Sequence, residues 1–269
     1  MTKNLPFLIL TALSLKLGSA AVLPAAAYDR SVQLGPGVTL HFQHLPAGTY
    51  TRGSPPDEAM RDGDEDPRHE VTLTRGFYLG TYEVTQAQWA FVMGENPAVF
   101  QNLETSPQRP VESVSWNECQ EFIKRLNAMG RGSFRLPTEA EWEYACRAGT
   151  QSPYYWGEQM AESGHSDYAW ANSRSFAQTH PVGRKKPNPW GLYDMSGNVW
   201  EWCQDWYGPY PDDALVDPKG PEAGTLKVFR GGSWYDFHES HRSANRHKHA
   251  PDERYSAIGL RLVLEIDSD

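Results

Sequence analysis

Between Asp236 and His249 the chain gathers His238, His241, His247 and His249 with Asp236 and Glu239, all within fourteen residues. Histidine titrates near neutral pH, so these rings could take or give a proton during a reaction. Imidazole with carboxylate also suits iron, copper or zinc. His238 and His241 are spaced to share a face of one helical turn. Arg242, Arg246 and Lys248 interleave with the histidines. They would repel a cation, which favours a polar surface loop without metal.

A second concentration runs N-P-W-G-L-Y-D-M-S-G-N-V-W-E-W-C-Q-D-W over residues 188–206. The crowding of Trp200, Trp202 and Trp206 implies a segment buried on both sides, or one lining a concave surface. Asp194 and Glu201 sit among those rings, and a carboxylate in apolar surroundings must be paired or must hold a metal. Two carboxylates with the carbonyls of a Gly-containing turn suit a hard cation such as Ca2+. The alternative is a turn whose carboxylates accept backbone hydrogen bonds.

Several elements can be read around these residues. Thr85 is expected to cap a short helix to Met93. Trp116, Cys119, Phe122, Ile123 and Leu126 recur with helical spacing over 115–129, with Cys119 in the core. Thr138 and Glu141 form a capping box for a third helix ending near Cys146. His69–Leu73 and Phe77–Gly80 read as two strands turning at Arg75-Gly76, the second running on through Val84. The acidic run over 52–70 reads as a solvated loop. Residues 151–190 read as long loops pinned by Tyr154, Tyr155, Trp156, Tyr168, Trp170 and Trp190, and ligand sites favour such loops. Ala257–Leu264 has strand composition and is expected to pair into a central sheet.

At 269 residues with no linker-like segment, residues 28–269 are expected to form a single domain. The net charge of −9 disfavours nucleic acid and anionic lipid as partners. Lys3, the apolar run Leu5–Leu15 and Ala25-Ala26-Ala27 before Tyr28 read as an export signal over residues 1–27. That run is short for a bilayer span, so the mature protein is expected to be periplasmic or secreted, with no membrane span after cleavage. The alternative, given Lys16 close to the run, is an uncleaved anchor. Cys119, Cys146 and Cys203 make an odd count, which leaves at least one thiol outside any intrachain disulfide. No phosphate-binding Gly-rich loop, H-E-x-x-H or G-x-S-x-G is present.

Six motifs in fixed order resemble the formylglycine-generating enzyme family, the sulfatase-modifying factors. They are Y-E-V-T-Q-A-Q-W (82–89), P-V-E-S-V-S-W (110–116), F-R-L-P-T-E-A-E-W-E-Y-A-C-R-A-G-T (134–150), T-H-P-V-G (179–183), the tryptophan-rich turn and R-G-G-S-W (230–234). The resemblance runs from about residue 45 to residue 264. It implies an α+β fold related to C-type lectins, low in regular secondary structure, with aromatic-pinned loops around a groove for an extended peptide. It also implies two calcium ions. Asp194 and Glu201 side chains with the Gly197 and Val199 carbonyls match one site. Asn172 with the Ser173 and Phe176 carbonyls match the other incompletely, because that loop is short and lacks its Asp.

Active members carry two cysteines, five residues apart after the G-G-S, that bind Cu(I) and activate O2. The matching positions here are Asp236 and His241, so the usual thiolate route to formylglycine is not expected. An exported member without the pair is similar to the periplasmic branch that oxidatively matures a peptide siderophore, completing a pyoverdine-type chromophore. On that reading Ser233, Asp236, His238, Glu239 and His241 stand near the reacting ring, and O2 or a redox metal (copper or iron) accepts the electrons. Trp156, Trp170, Trp190, Trp200 and Trp234 would wall the groove and hold the peptide or peptide-siderophore substrate. The competing reading is a binding module for peptide or glycan on the same fold.

Overall fold

The computed structural model describes residues 29–158, 162–172 and 175–266; the expected export signal lies outside them. The chain opens with β1 (Arg30–Gly35), β2 (Val38–Leu45), β3 (Gly48–Arg52), β4 (His69–Leu73) and β5 (Phe77–Gly80). Helices α1 (Gln86–Met93) and α2 (Trp116–Ala128) follow, then β6 (Phe134–Arg135), α3 (Glu139–Arg147) and α4 (Glu162–Tyr168). The remainder is strand and loop: β7 (Trp200–Trp206), β8 (Leu215–Val216), β9 (Lys227–Arg230), β10 (Arg246–His249), β11 (Ile258–Gly259) and β12 (Val263–Leu264). Three sheets result, ordered β1-β2-β5-β12-β6, β10-β9-β7-β11 and β3-β4-β8. Few helices and many short strands make this the expected α+β class. Among the described residues no helix is long and apolar enough to cross a membrane.

The three expected helices form where their caps place them. Thr85, Ser115 and Thr138 each accept from the backbone N–H three residues on, and Gln88, Glu118 and Glu141 return the bond. This satisfies N–H groups that the first turn leaves orphaned. Gly94 ends α1 in the left-handed region at φ 84°, where a Cβ would be disfavoured. Phe122 of α2 stacks on Trp89 of α1 with ring centroids 4.9 Å apart, and both join the core beneath β1 and β2.

Five expectations change. His69–Leu73 and Phe77–Gly80 are strands but not a hairpin: β4 pairs with β3 and β8, whereas β5 pairs with β2 and β12. The second also stops at Gly80, short of Val84. The closing segment divides, with β11 beside β7 and β12 between β5 and β6. Residues 151–190 contain α4, a seven-residue helix that brings in His165. The acidic run over 52–70 is not simply solvated, because Glu58 and Glu65 are buried and both bond Arg242, at 2.8 and 2.6 Å.

Arg242 and Arg246 therefore turn inward. Arg246 forks onto Glu139 through two 2.8 Å bonds, and Arg52 reaches the same carboxylate at 2.7 Å. One turn along α3, Glu143 bonds Arg230 and Arg147. Burial alone would raise the Glu139 carboxyl, but Arg246, Arg52 and Arg230 hold it at about 2. The E-A-E-W-E-Y-A-C-R motif is thus a buried charge lattice clamping α3 to β3, β9 and β10, and removing one partner would strand a buried charge.

Strand β7 is buried on both faces, as its composition implied. Trp200 and Trp202 enter the core shared with α1 and α2, while Cys203 belongs to the core around α3. Trp206 and Trp116 enclose the Lys227 ammonium at 3.7 and 4.0 Å from their ring centroids.

Candidate functional site

Ser233 is the centre of the cluster the sequence singled out. It follows Gly231 and Gly232, whose φ angles are 104° and 74°. A Cβ on Gly232 would lie 2.0 Å from the His241 ring, so the second glycine is what lets His241 pack under the turn. Ser233 Oγ donates to Asp236 Oδ2 at 2.5 Å, and the Ser233 N–H donates to the same oxygen at 3.1 Å. Trp200 Nε1 adds a third donor at 2.8 Å. His241 Nε2 lies 3.1 Å from the Ser233 carbonyl. Asp236 and His241, the residues expected at the cysteine positions, thus each bond Ser233, one at its hydroxyl and N–H and the other at its carbonyl.

His241 is wholly buried, and its Nδ1 lies 2.9 Å from Nε2 of His165 on α4. Burial pushes His241 down to about 4, and burial together with the neighbouring histidines pushes His165 to about 3. Both are neutral at pH 7. His238 and His241 occupy one 3-10 turn, but only His241 is buried. The His238 ring is 40% exposed and faces Glu239, its Nδ1 3.7 Å from the carboxylate. His165 carries no local pattern in the sequence; only the fold brings it here.

The tryptophans expected to wall a groove each have ring or hydrogen-bond partners of their own. Trp200 is a core residue, committed to Asp236. Trp170 lies between the His180 ring (3.7 Å) and the Lys185 ammonium (3.8 Å). Trp156 stacks with Tyr154 and with Tyr168, at 4.7 and 5.0 Å. Trp190 packs edge-on against Tyr144. Trp234 is held by its Nε1 bond to the Ser256 carbonyl and by Phe100. The aromatic faces open to solvent beside the cluster are others: Tyr235 (64% exposed), Phe237 (59%) and Phe176 (83%). The Phe176 loop is tied there by Asn172 Nδ2 donating to the Tyr235 carbonyl and Ser175 Oγ donating to the Trp234 carbonyl.

The backbone of the tryptophan-rich turn is tightly constrained. Asp194 and Asn198 both take positive φ, and a Cβ on Gly197 would meet the Trp170 carbonyl at 2.4 Å. Asp194 Oδ2 accepts the Gly183 N–H, but Oδ1 is buried without a partner. Burial raises this carboxyl to about 6. Glu201 is already satisfied: Arg261 Nε and Nη2 bond it at 2.6–3.0 Å, and Trp142 Nε1 donates at 2.7 Å. Buried Glu83 accepts from Asn198 Nδ2 and the Val199 N–H; burial, then Asp194 and Glu201, push its carboxyl well up. Among the described residues no three His, Cys, Asp or Glu side chains could hold a metal. Of the side-chain oxygens expected to ligate calcium here, only Asp194 Oδ1 is left buried without a partner, whereas such an ion takes about six to eight oxygens. For the second calcium set, Ser173 lies outside the described residues and the Asn172 amide nitrogen is engaged by Tyr235.

The sulfatase-modifying factor enzyme 1-like domain matches residues 39–266. The chain belongs to that family. It is 30% identical to the formylglycine-generating enzyme of Streptomyces coelicolor, covering 92% of this chain and 96% of that one. It is 38% identical to the formylglycine-generating enzyme of Thermomonospora curvata, covering 82% and 92%. Among solved structures it resembles Treponema denticola variable protein 1 (TM-score 0.79, 30% identity, 88% of this chain and 99% of that one). It also resembles PvdO from Pseudomonas aeruginosa (TM-score 0.72, 30% identity, 84% and 94%).

Proposed function

We propose that this family member is an exported oxidoreductase that matures a peptide-linked ring, such as a pyoverdine-type siderophore chromophore, in the periplasm. The observation that carries this reading is what stands around Ser233. By the family resemblance, Asp236 and His241 would stand where active members carry their cysteine pair, and both bond Ser233. The three thiols of the chain are all buried and free. Cys146 contacts the Met195 carbonyl and Ser243, and Cys203 the Glu201 carbonyl. Buried thiols so engaged do not favour thiolate-bound copper, and so disfavour sulfatase activation.

The substrate ring would lie against Tyr235, Phe237 and Phe176, beside the exposed His238 and Glu239. Oxidation of a dihydroquinoline-type ring removes one N–H and one C–H hydrogen, that is, two protons and two electrons. His238 can take a proton, being accessible and of the right type. O2 would accept both electrons and both protons and leave as H2O2. Calcium held by Asp194 Oδ1 and the Gly197 and Val199 carbonyls would pin the turn beneath Trp200.

The test supplies purified protein with the reduced precursor peptide in air. Conversion with one O2 consumed and one H2O2 released per ring is the expected result. An unchanged precursor that nevertheless binds would overturn the enzyme reading in favour of a peptide-binding module.

A further inference from the structure

We propose that the face carrying Asp236 and Glu239 is a recognition subsite for an organic cation, an alkylammonium or guanidinium group of the substrate peptide. The positive charges of this part of the chain all turn away from it. Arg242 ends on Glu58 and Glu65, and Arg246 on Glu139. Lys248 donates to Asp64 and to the Tyr207 hydroxyl, at 3.1 and 3.2 Å. Lys185, whose charge reaches His165, is drawn to α4: it donates to the Ser166 carbonyl and lies 3.8 Å over the Trp170 ring. The Glu239 carboxylate meets the His238 ring, and among the described residues no Lys or Arg side chain bonds the carboxylate of Glu239 or of Asp236. The loop that reads as basic in sequence is therefore acidic on its outer face.

Asp236 is arranged to receive a ligand on one oxygen. Its Oδ2 is occupied by three donors of the fold, the Ser233 hydroxyl, the Ser233 N–H and Trp200 Nε1. Those bonds fix the carboxylate, so pairing with a ligand costs it little freedom. Oδ1 accepts no bond from the described residues and is open to solvent. Tyr235 and Phe237, the residues before and after it, present exposed rings, and Phe176 presents a third. Ring faces attract ammonium and guanidinium groups, and a guanidinium can lie flat on a ring while donating to a carboxylate. With no group of three ligating side chains among the described residues, the face suits an organic cation rather than a metal ion. The inference rests on the reading of those rings as the substrate face, and adds the charge of what they hold.

Binding can be followed without turnover. The dipeptide acetyl-Tyr-Arg amide would be titrated into the protein by NMR beside acetyl-Tyr-citrulline amide, its uncharged isostere. The charged probe should bind roughly fivefold tighter, the effect that an exposed ion pair and a cation–π contact supply together. Asp236→Asn keeps an oxygen for the three donors and puts an amide in place of Oδ1. It should bring the preference below about twofold with the circular dichroism spectrum unchanged, and Glu239→Gln should reduce it in part. Asp213→Asn, on an exposed loop after β7, should leave it intact. No binding of either dipeptide, equal affinity for the two, or a preference that survives Asp236→Asn would overturn the proposal. Ring oxidation by a protein without this preference would sink the subsite and spare the proposed function; the preference without oxidation would do the reverse.

Discussion

Arg261→Met should be the most damaging single exchange beneath the tryptophan-rich turn. The guanidinium is fully buried and bonds Glu201 on both oxygens, the Gly80 carbonyl at 2.9 Å and the Tyr193 carbonyl at 2.8 Å. It therefore ties together β7, the end of β5 and the 188–199 turn. Methionine fills much of the volume but leaves Glu201 as a buried charge whose nearest remaining donor is Trp142. Breaking a buried pair from one side costs about 3–5 kcal/mol, a large part of the ~5–15 kcal/mol that holds a domain folded. In a chain of this size that corresponds to a midpoint lower by roughly 6–20 °C. The assay is thermal and urea unfolding of Arg261→Met, Glu201→Leu and the double variant, each in EDTA and in calcium. The double variant should recover at least about 2 kcal/mol relative to the sum of the singles. A loss below about 1 kcal/mol in Arg261→Met, or strict additivity in the cycle, would show that the pair does not carry the turn.

Three further outcomes follow from the same geometry. The histidine ring of His241 is held down at about 4 from an ordinary 6.5, so the unfolded chain binds the extra proton first. The stability it contributes is complete above pH 6.5 and is lost as pH falls towards 4, on the order of 3 kcal/mol. The urea midpoint of His241→Gln should accordingly depend less on pH over that window than that of the parent; comparing the two also removes the opposite contributions of Glu83 and Asp194, whose carboxyls sit high. Gly197→Ala should lose at least about 2 kcal/mol, since φ is 91° and the new Cβ falls 2.4 Å from the Trp170 carbonyl, and strain and overlap then act together. Calcium should raise the melting temperature of the parent but not of Asp194→Ala, and an unchanged midpoint in EDTA would remove calcium from the turn.

Much of the framework was legible before any coordinate. The caps at Thr85 and Thr138 and the apolar spacing over 115–129 announce three helices because these signals are local. The order of the motifs marks the family, and the contrast of Asp194 and Glu201 with the rings around them marks the turn as a place where charge must be answered. What answers it could not be read. Arg261 is distant in sequence and sat inside an apolar stretch taken for one strand; the buried charge flanked by Leu260 and Leu262 was the only local sign.

The histidine cluster shows the same division. Residue types placed His238, His241 and Asp236 near Ser233, since a short loop leaves them little freedom. Tertiary packing decided which ring is buried, supplied His165 from α4, and turned Arg242 and Arg246 away into carboxylates of the 52–70 loop and α3. It likewise stacked Trp156 on Tyr154 and Tyr168 and Trp170 on His180, and left Tyr235, Phe237 and Phe176 open. Local pattern records what a residue can bond within a turn or two. Long-range ion pairs and aromatic stacking depend on which strands meet, and that is settled only when the whole chain closes.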